Sequence, residues 1–187
     1  MLAGDNILSG FNIEKYKKYF PPGNNTFDTM QELKALRRIP LNKEYAKKYD
    51  NVVSVFKNTA KKHGLKKDIT DLITNLVNSS YPLIMELKNF YNRPRPKVMA
   101  SIMNLKMDDY EMASMKTPSY PSGHSTQGIL IAKVLSHLFP ELKKHFMQAG
   151  NNISDSRNIA HAHYKTDSDF GKKLGSDMYE HLKNKLI

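Results

Sequence analysis

Three short stretches of the chain carry residue types that handle oxyanions. In residues 88–96 (KNFYNRPRP) an apolar run leads into a double Arg-Pro turn, and each residue before a proline is pushed out of the helical region. Arg93 and Arg95 are thereby held on a stiff corner, with Lys88 on the preceding helix. A guanidinium offers a planar fork of donors to a phosphate, and an ammonium adds a point charge. A basic surface turn would carry the same residues. The second stretch, Tyr120-Pro121-Ser122-Gly123-His124-Ser125, opens an apolar helix, whose first N–H groups are unpaired. Ser122 and Gly123 can cradle an anion there, with the Ser122 hydroxyl as a further donor, and His124 would sit beside the bound group. An ordinary helix start, with a capping serine and a solvent-facing histidine, fits the same letters.

In the third stretch, residues 156–167 (SRNIAHAHYKTD), His163 and Asp167 are four apart and can meet along a helix or across a turn. A carboxylate on one imidazole nitrogen fixes the tautomer and makes the other nitrogen a better base or nucleophile. Arg157 lies on the same segment. The pair His161 and His163 also suggests a metal, but no matching carboxylate or histidine cluster stands at ligand spacing, so no metal is expected. Asp155 and His161 read as structural.

The elements that must position these residues are helical almost throughout. Ile69, Leu72, Ile73, Leu76 and Val77 recur at the spacing of one helix face, with Asp68 placed as an N-cap. Similar faces run through 27–39, 43–63 and 169–186, and nothing alternates long enough for a strand. Turn signals at Pro21-Pro22-Gly23, in 92–96 and in 118–123 divide helices rather than domains. The expectation is an all-α, single-domain helical bundle over 1–187, with 1–65 an N-terminal helical extension packed on a core of 66–187. Residues 97–120 carry Met99, Met103, Met107, Met112 and Met115, and read as core packing or as a lid over the site.

Composition narrows the function classes. A chain of 187 residues with 40% hydrophobic and 25% charged residues has room for one ordinary core and not for two catalytic domains. The absence of cysteine excludes disulfides, thiolate metal sites and cysteine nucleophiles. A net charge of +11 invites a nucleic-acid reading, but 24 of the 29 basic residues are Lys in scattered pairs, and base readout favours Arg. No segment approaches the roughly 20 apolar residues of a membrane span. The N-terminus lacks the basic-then-apolar order of a secretory signal, so a soluble cytoplasmic protein is expected.

Taken together, Lys-x6-Arg-Pro ending at Pro96, Pro-Ser-Gly-His at 121–124 and Ser-Arg-x5-His-x3-Asp at 156–167 resemble the tripartite signature of the type 2 phosphatidic acid phosphatase (PAP2) superfamily. That superfamily includes the bacterial class A acid phosphatases and the vanadium haloperoxidases. The resemblance covers Lys88 to Asp167, and of the two Arg-Pro pairs only Arg95 stands at the family's spacing from Lys88. It implies that His163 is the nucleophile, that Asp167 orients it and that His124 protonates the leaving oxygen. Lys88, Arg95, Ser122, Gly123 and Arg157 would hold the phosphate, with no metal or cofactor. Lipid-phosphate members are usually integral to membranes, so a soluble phosphomonoester or pyrophosphate is the expected partner. A vanadium-dependent haloperoxidase using the same site, and a non-catalytic basic nucleic-acid-binding helical protein, are the alternatives. Oligomeric state has no signal in the sequence.

Overall fold

The computed structural model describes residues 6–186. They form α1 (Phe27–Arg37), α2 (Lys43–Lys48), α3 (Val52–Lys62), α4 (Thr70–Tyr91), α5 (Pro96–Ile102), α6 (Gly123–Leu138), α7 (Lys143–Ile159) and α8 (Lys165–Leu182), joined by turns and short 3-10 segments. No strand occurs among the described residues. The all-α class follows from the apolar periodicity: α4 turns Ile73, Leu76, Ile84 and Leu87 inward. They meet Leu130 and Leu135 of α6, Phe56 of α3, Phe146 of α7, and Leu174 and Met178 of α8 in one core. Residues ahead of 65 share it, among them Leu8 and Tyr16.

Buried almost all round, α6 is the axis of the fold, as expected for a helix with no polar face. Its neighbours touch it backbone to backbone. A Cβ added at Gly150 of α7 would stand 2.6 Å from the Gly128 carbonyl oxygen, and one at Gly175 of α8 only 2.3 Å from that of Thr126. Glycine is therefore required at both crossings. This close packing sets the start of α6 against the turn between α7 and α8, which brings the second and third stretches together.

Helix boundaries depart from the periodic reading in informative ways. The continuous 43–63 pattern breaks at 49–51, because the Asn51 side chain accepts the Ser54 amide at 2.9 Å and starts a new helix there. Asp68 accepts the Thr70 amide at 2.8 Å, although the formal cap of α4 is Ile69. The last helix begins earlier than 169, at Lys165, and the first ends at Arg37 ahead of Pro40. Met99, Met103 and Met107 do not share a helix face, since α5 stops at Ile102. Met99 and Met107 pack with Leu33, Leu36 and Tyr164, and Met112 packs with Ala46, Ala160 and Ala162. The segment is thus anchored by its methionines as core.

Candidate active site

Lys88 sits in the last turn of α4, which Asn92 ends in the left-handed region at φ 46°. The chain then extends through Arg93-Pro94-Arg95-Pro96, with Arg95 as N-cap of α5 and Pro96 in its first turn. Gly123 and His124 open α6, where the Ser122 side chain accepts the Ser125 amide at 3.3 Å. His161, at φ 55°, reverses the chain after α7 and delivers His163 to the threshold of α8. Both ring nitrogens of His161 face carbonyl oxygens, Asp108 at 2.7 Å and Ile39 at 2.8 Å, so its role is to pin this turn.

These ends converge on a cavity of about 240 Å³ whose wall includes Lys88, Arg95, Gly123, His124 and His163. Ala113, Ser114 and Thr117 close one side of it, and Tyr81, Ile84 and Met85 of α4 another. Arg95 ties the first group in place by donating to the Thr117 and Ser114 carbonyls at 2.8 and 2.9 Å. Residues 113–117 therefore belong to the cavity wall.

His163 is bridged. Its Nδ1 lies 3.1 Å from Asp167 Oδ2 and its Nε2 lies 2.9 Å from Arg95 Nη1. An arginine can only donate, so Nε2 is the acceptor and Nδ1–H donates to Asp167. In that tautomer the single lone pair of Nε2, on a ring that lines the cavity, is held by the Arg95 N–H. Asp167 is held by more than the histidine: Arg93 Nη1 donates to Oδ1 at 2.7 Å, and the Tyr164 amide and the Ser119 hydroxyl donate to Oδ2. Its position in the first turn of α8 also suits a negative charge.

The electrostatics separate the two histidines' neighbours. Burial pushes His163 well below the ordinary imidazole value, with Arg95 and Lys88 adding to the effect and Asp167 opposing it. The ring is neutral at pH 7. Burial alone would raise Asp167, but the His163 hydrogen bond and the Arg93 charge bring it down to about 2. Lys88 is pushed down to about 7, first by burial and then by Arg95. Arg95 falls to about 10 through burial and keeps its charge.

Arg157 and Ser122 stand behind the wall. The Arg157 guanidinium donates to Asp50 Oδ1 at 2.8 Å and to the Ala46 carbonyl at 3.0 Å. The Ser122 amide donates to the Asp167 carbonyl at 3.0 Å, and its side chain is fully buried. Of Ser122 and Gly123, the two residues expected to cradle an anion in that turn, Gly123 lines the cavity.

Sequence reasoning missed Asp50 and Ser119, and singled out Arg93 without its role on Asp167. Asp50 lies in the break between α2 and α3, where its carbonyl oxygen is 2.9 Å from His124 Nε2 and its carboxylate 3.4 Å. Its carboxyl is lowered to about 2, chiefly by the His124 hydrogen bond and also by Arg157. Burial lowers His124, opposed by Asp50 and reinforced by Arg157. The adjacent Asp50-Asn51, two poor helix formers inside a helical pattern, was the available signal for the break. Arg93 stood one Arg-Pro pair away from the expected phosphate ligand and instead serves Asp167. Ser119 had no signal. Among the described residues no group of three or more His, Asp or Glu is placed to hold a metal ion.

The chain is 30% identical over 176 residues to a non-specific acid phosphatase of Salmonella typhimurium, covering 87% of this chain and 70% of that protein. It is 31% identical over 159 residues to an acid phosphatase of Zymomonas mobilis, covering 82% of this chain and 59% of that protein. In fold it is similar to the crystal structure of a transmembrane PAP2-type phosphatidylglycerolphosphate phosphatase from Bacillus subtilis, with a TM-score of 0.55 and 18% identity over 84% of this chain and 83% of that one. In this chain no helix among the described residues is long and apolar enough to cross a membrane. Residues 70–175, which span α4 to α8 and hold all three oxyanion-handling stretches, match the PAP2 superfamily, and the chain belongs to that family.

Proposed function

We propose that the chain hydrolyses small phosphomonoesters or pyrophosphates without a metal, by transferring the phosphoryl group to His163 and then to water. Family and relatives make it a phosphoric monoester hydrolase; the histidine route and the substrate class are the proposal. The observation that carries it is the bridged His163, with Nδ1 on Asp167, Nε2 on Arg95 and the ring lining a cavity shared with Lys88, Arg95, Gly123 and His124.

In the first half-reaction Arg95 turns the N–H it gives Nε2 onto a phosphate oxygen, which frees the lone pair; Nε2 attacks phosphorus, the N–P bond forms, and the bond to the leaving oxygen breaks. His124 supplies the proton that oxygen takes. In the second, water attacks the phosphohistidine, His124 takes the water proton, and the N–P bond breaks to release phosphate. The transition state spreads negative charge over equatorial oxygens, and Lys88, Arg95 and the Gly123 amide are fixed donors for that charge. Ser122 and Arg157 support it from behind. The modest cavity favours a compact phosphate ester over a bulky one.

The test is trapping. A labelled monoester, quenched during turnover with chelator present, yields an acid-labile, alkali-stable adduct that is absent from His163→Ala. A His163→Ala protein that turns over at the parent rate would overturn the proposal. Orthovanadate inhibits, because a five-coordinate oxyanion imitates the transition state.

A further inference from the structure

Glu32 lies in the middle of α1, well before the first oxyanion-handling stretch, yet its carboxylate is only 14% exposed. Oε2 accepts from Arg93 Nη2 at 2.8 Å and from the Thr166 hydroxyl at 3.1 Å, and Oε1 accepts the Thr166 amide at 3.0 Å. Arg93 uses its other terminal nitrogen on Asp167 Oδ1 at 2.7 Å and on the same Thr166 hydroxyl at 2.8 Å. The guanidinium is itself buried and stacked 3.7 Å from the centre of the Tyr164 ring. One cation is thus shared by two carboxylates, and the second of them is the one that holds His163 Nδ1.

We infer that Glu32 is a positioning residue for the reaction, acting through Arg93 and Asp167 on the Nδ1 side of His163. A buried arginine paired with Asp167 alone would place its whole charge on that carboxylate and weaken it as an acceptor for Nδ1–H. Glu32 takes half of the guanidinium and leaves Asp167 the stronger partner as His163 gains positive character on attack. The inference rests on His163 being the nucleophile. A competing reading, in which Glu32 only caps the start of α8 through the Thr166 amide, predicts a stability effect alone.

The two are separated by Glu32→Gln, which keeps the shape and removes the charge. The charged groups that act on His163 are Lys88 of α4, Arg95 before α5 and Asp167 of α8; His124 of α6 shares its cavity, Arg93 reaches it through Asp167, and Arg157 of α7 stands behind the wall on Asp50. With Glu32 neutralised the set becomes more positive, so the His163 imidazolium is disfavoured and the acid limb of kcat/KM moves to lower pH. Expected with it are a fall in kcat of about tenfold, the equivalent of about one unit of basicity, and a KM within about twofold of the parent, since Glu32 touches no substrate. The downfield proton resonance of His163 Nδ1–H also shifts. Glu32→Asp keeps the charge and keeps the acid limb at the parent pH. Should Glu32→Gln fail to fold, Thr166→Val removes the hydroxyl shared by Glu32 and Arg93 and moves the same resonance by less. An unmoved resonance and acid limb, with only a lowered melting temperature, would overturn the inference. The resonance reads the hydrogen bond whichever group attacks phosphorus, so a failure of the phosphohistidine route shows separately, in the trapping experiment.

Discussion

Asp50 and Arg157, 107 residues apart in the chain, are joined by a hydrogen-bonded ion pair of 2.8 Å. The carbonyl oxygen of Asp50 at the same time takes His124 Nε2 at 2.9 Å. A residue from the N-terminal third of the chain therefore orients the proposed acid and balances the cation behind it. Asp50→Ala leaves Arg157 buried without its carboxylate and His124 less readily protonated. The expected fall in kcat is roughly 10–100-fold, part of what a general acid contributes. The loss is greater for an alkyl phosphate, whose leaving oxygen needs a proton, than for p-nitrophenyl phosphate, whose leaving group does not. Equal losses on the two substrates would place Asp50 outside the proton transfer.

Asp167→Asn keeps the size of the side chain but presents a donor or a weaker acceptor to His163 Nδ1. The imidazole then has no carboxylate to fix its tautomer. By the logic of carboxylate–histidine pairs, kcat falls by roughly 10³ or more. Rapid-quench measurement of the phosphorylation step checks this, and the deficit belongs in formation of the adduct.

Lys88, lowered to about 7 by burial and Arg95, loses its charge as pH rises through that value. With p-nitrophenyl phosphate, where the His124 proton matters least, kcat/KM accordingly declines above about pH 7. Lys88→Arg stays charged across this range and carries the decline to higher pH. A pH profile in which both proteins fall together would assign the limb to another group.

Stability should weaken in acid. His163 and His124 are both lowered from the ordinary 6.5 by burial, so between that value and their folded values the unfolded chain binds more protons. Their contribution is full above about pH 6.5 and is lost progressively as pH falls below it. Urea midpoints at falling pH measure the loss, and His163→Gln flattens the dependence.

Gly175→Ala tests the packing that assembles the site. The added Cβ would stand 2.3 Å from the Thr126 carbonyl oxygen, so α8 must move away from α6. Overpacking of this kind costs about 1–3 kcal/mol, or a fall in melting temperature of about 3–10 °C for a chain of this size. Activity falls further than stability alone explains, because α8 carries Asp167. A melting curve and a kcat unchanged from the parent would refute the crossing as drawn.

The local order of the chain was legible because helix formation is a short-range matter. The Ile69–Val77 periodicity specifies α4, the paired Arg-Pro residues force an exit from helix, and Ser122 caps α6, each through contacts within a few residues. The same short range explains why Lys88, Arg95, Gly123, His124 and His163 could be singled out: each sits where a helix ends or starts, and helix termini announce themselves in residue type. The spacing from Lys88 had already favoured Arg95 over Arg93 as the arginine on the cavity; tertiary structure decided that Arg93 holds Asp167. It also seated Arg157 on Asp50, and carried Glu32 and Asp50 from the first helices to the back of the site. Those choices depend on how α6 packs on α7 and α8 through Gly150 and Gly175, and on where a helix break drops one carboxylate. A pairing between residues 60 to 110 positions apart leaves no periodic trace in the chain, because burial and charge compensation become defined only once the helices meet.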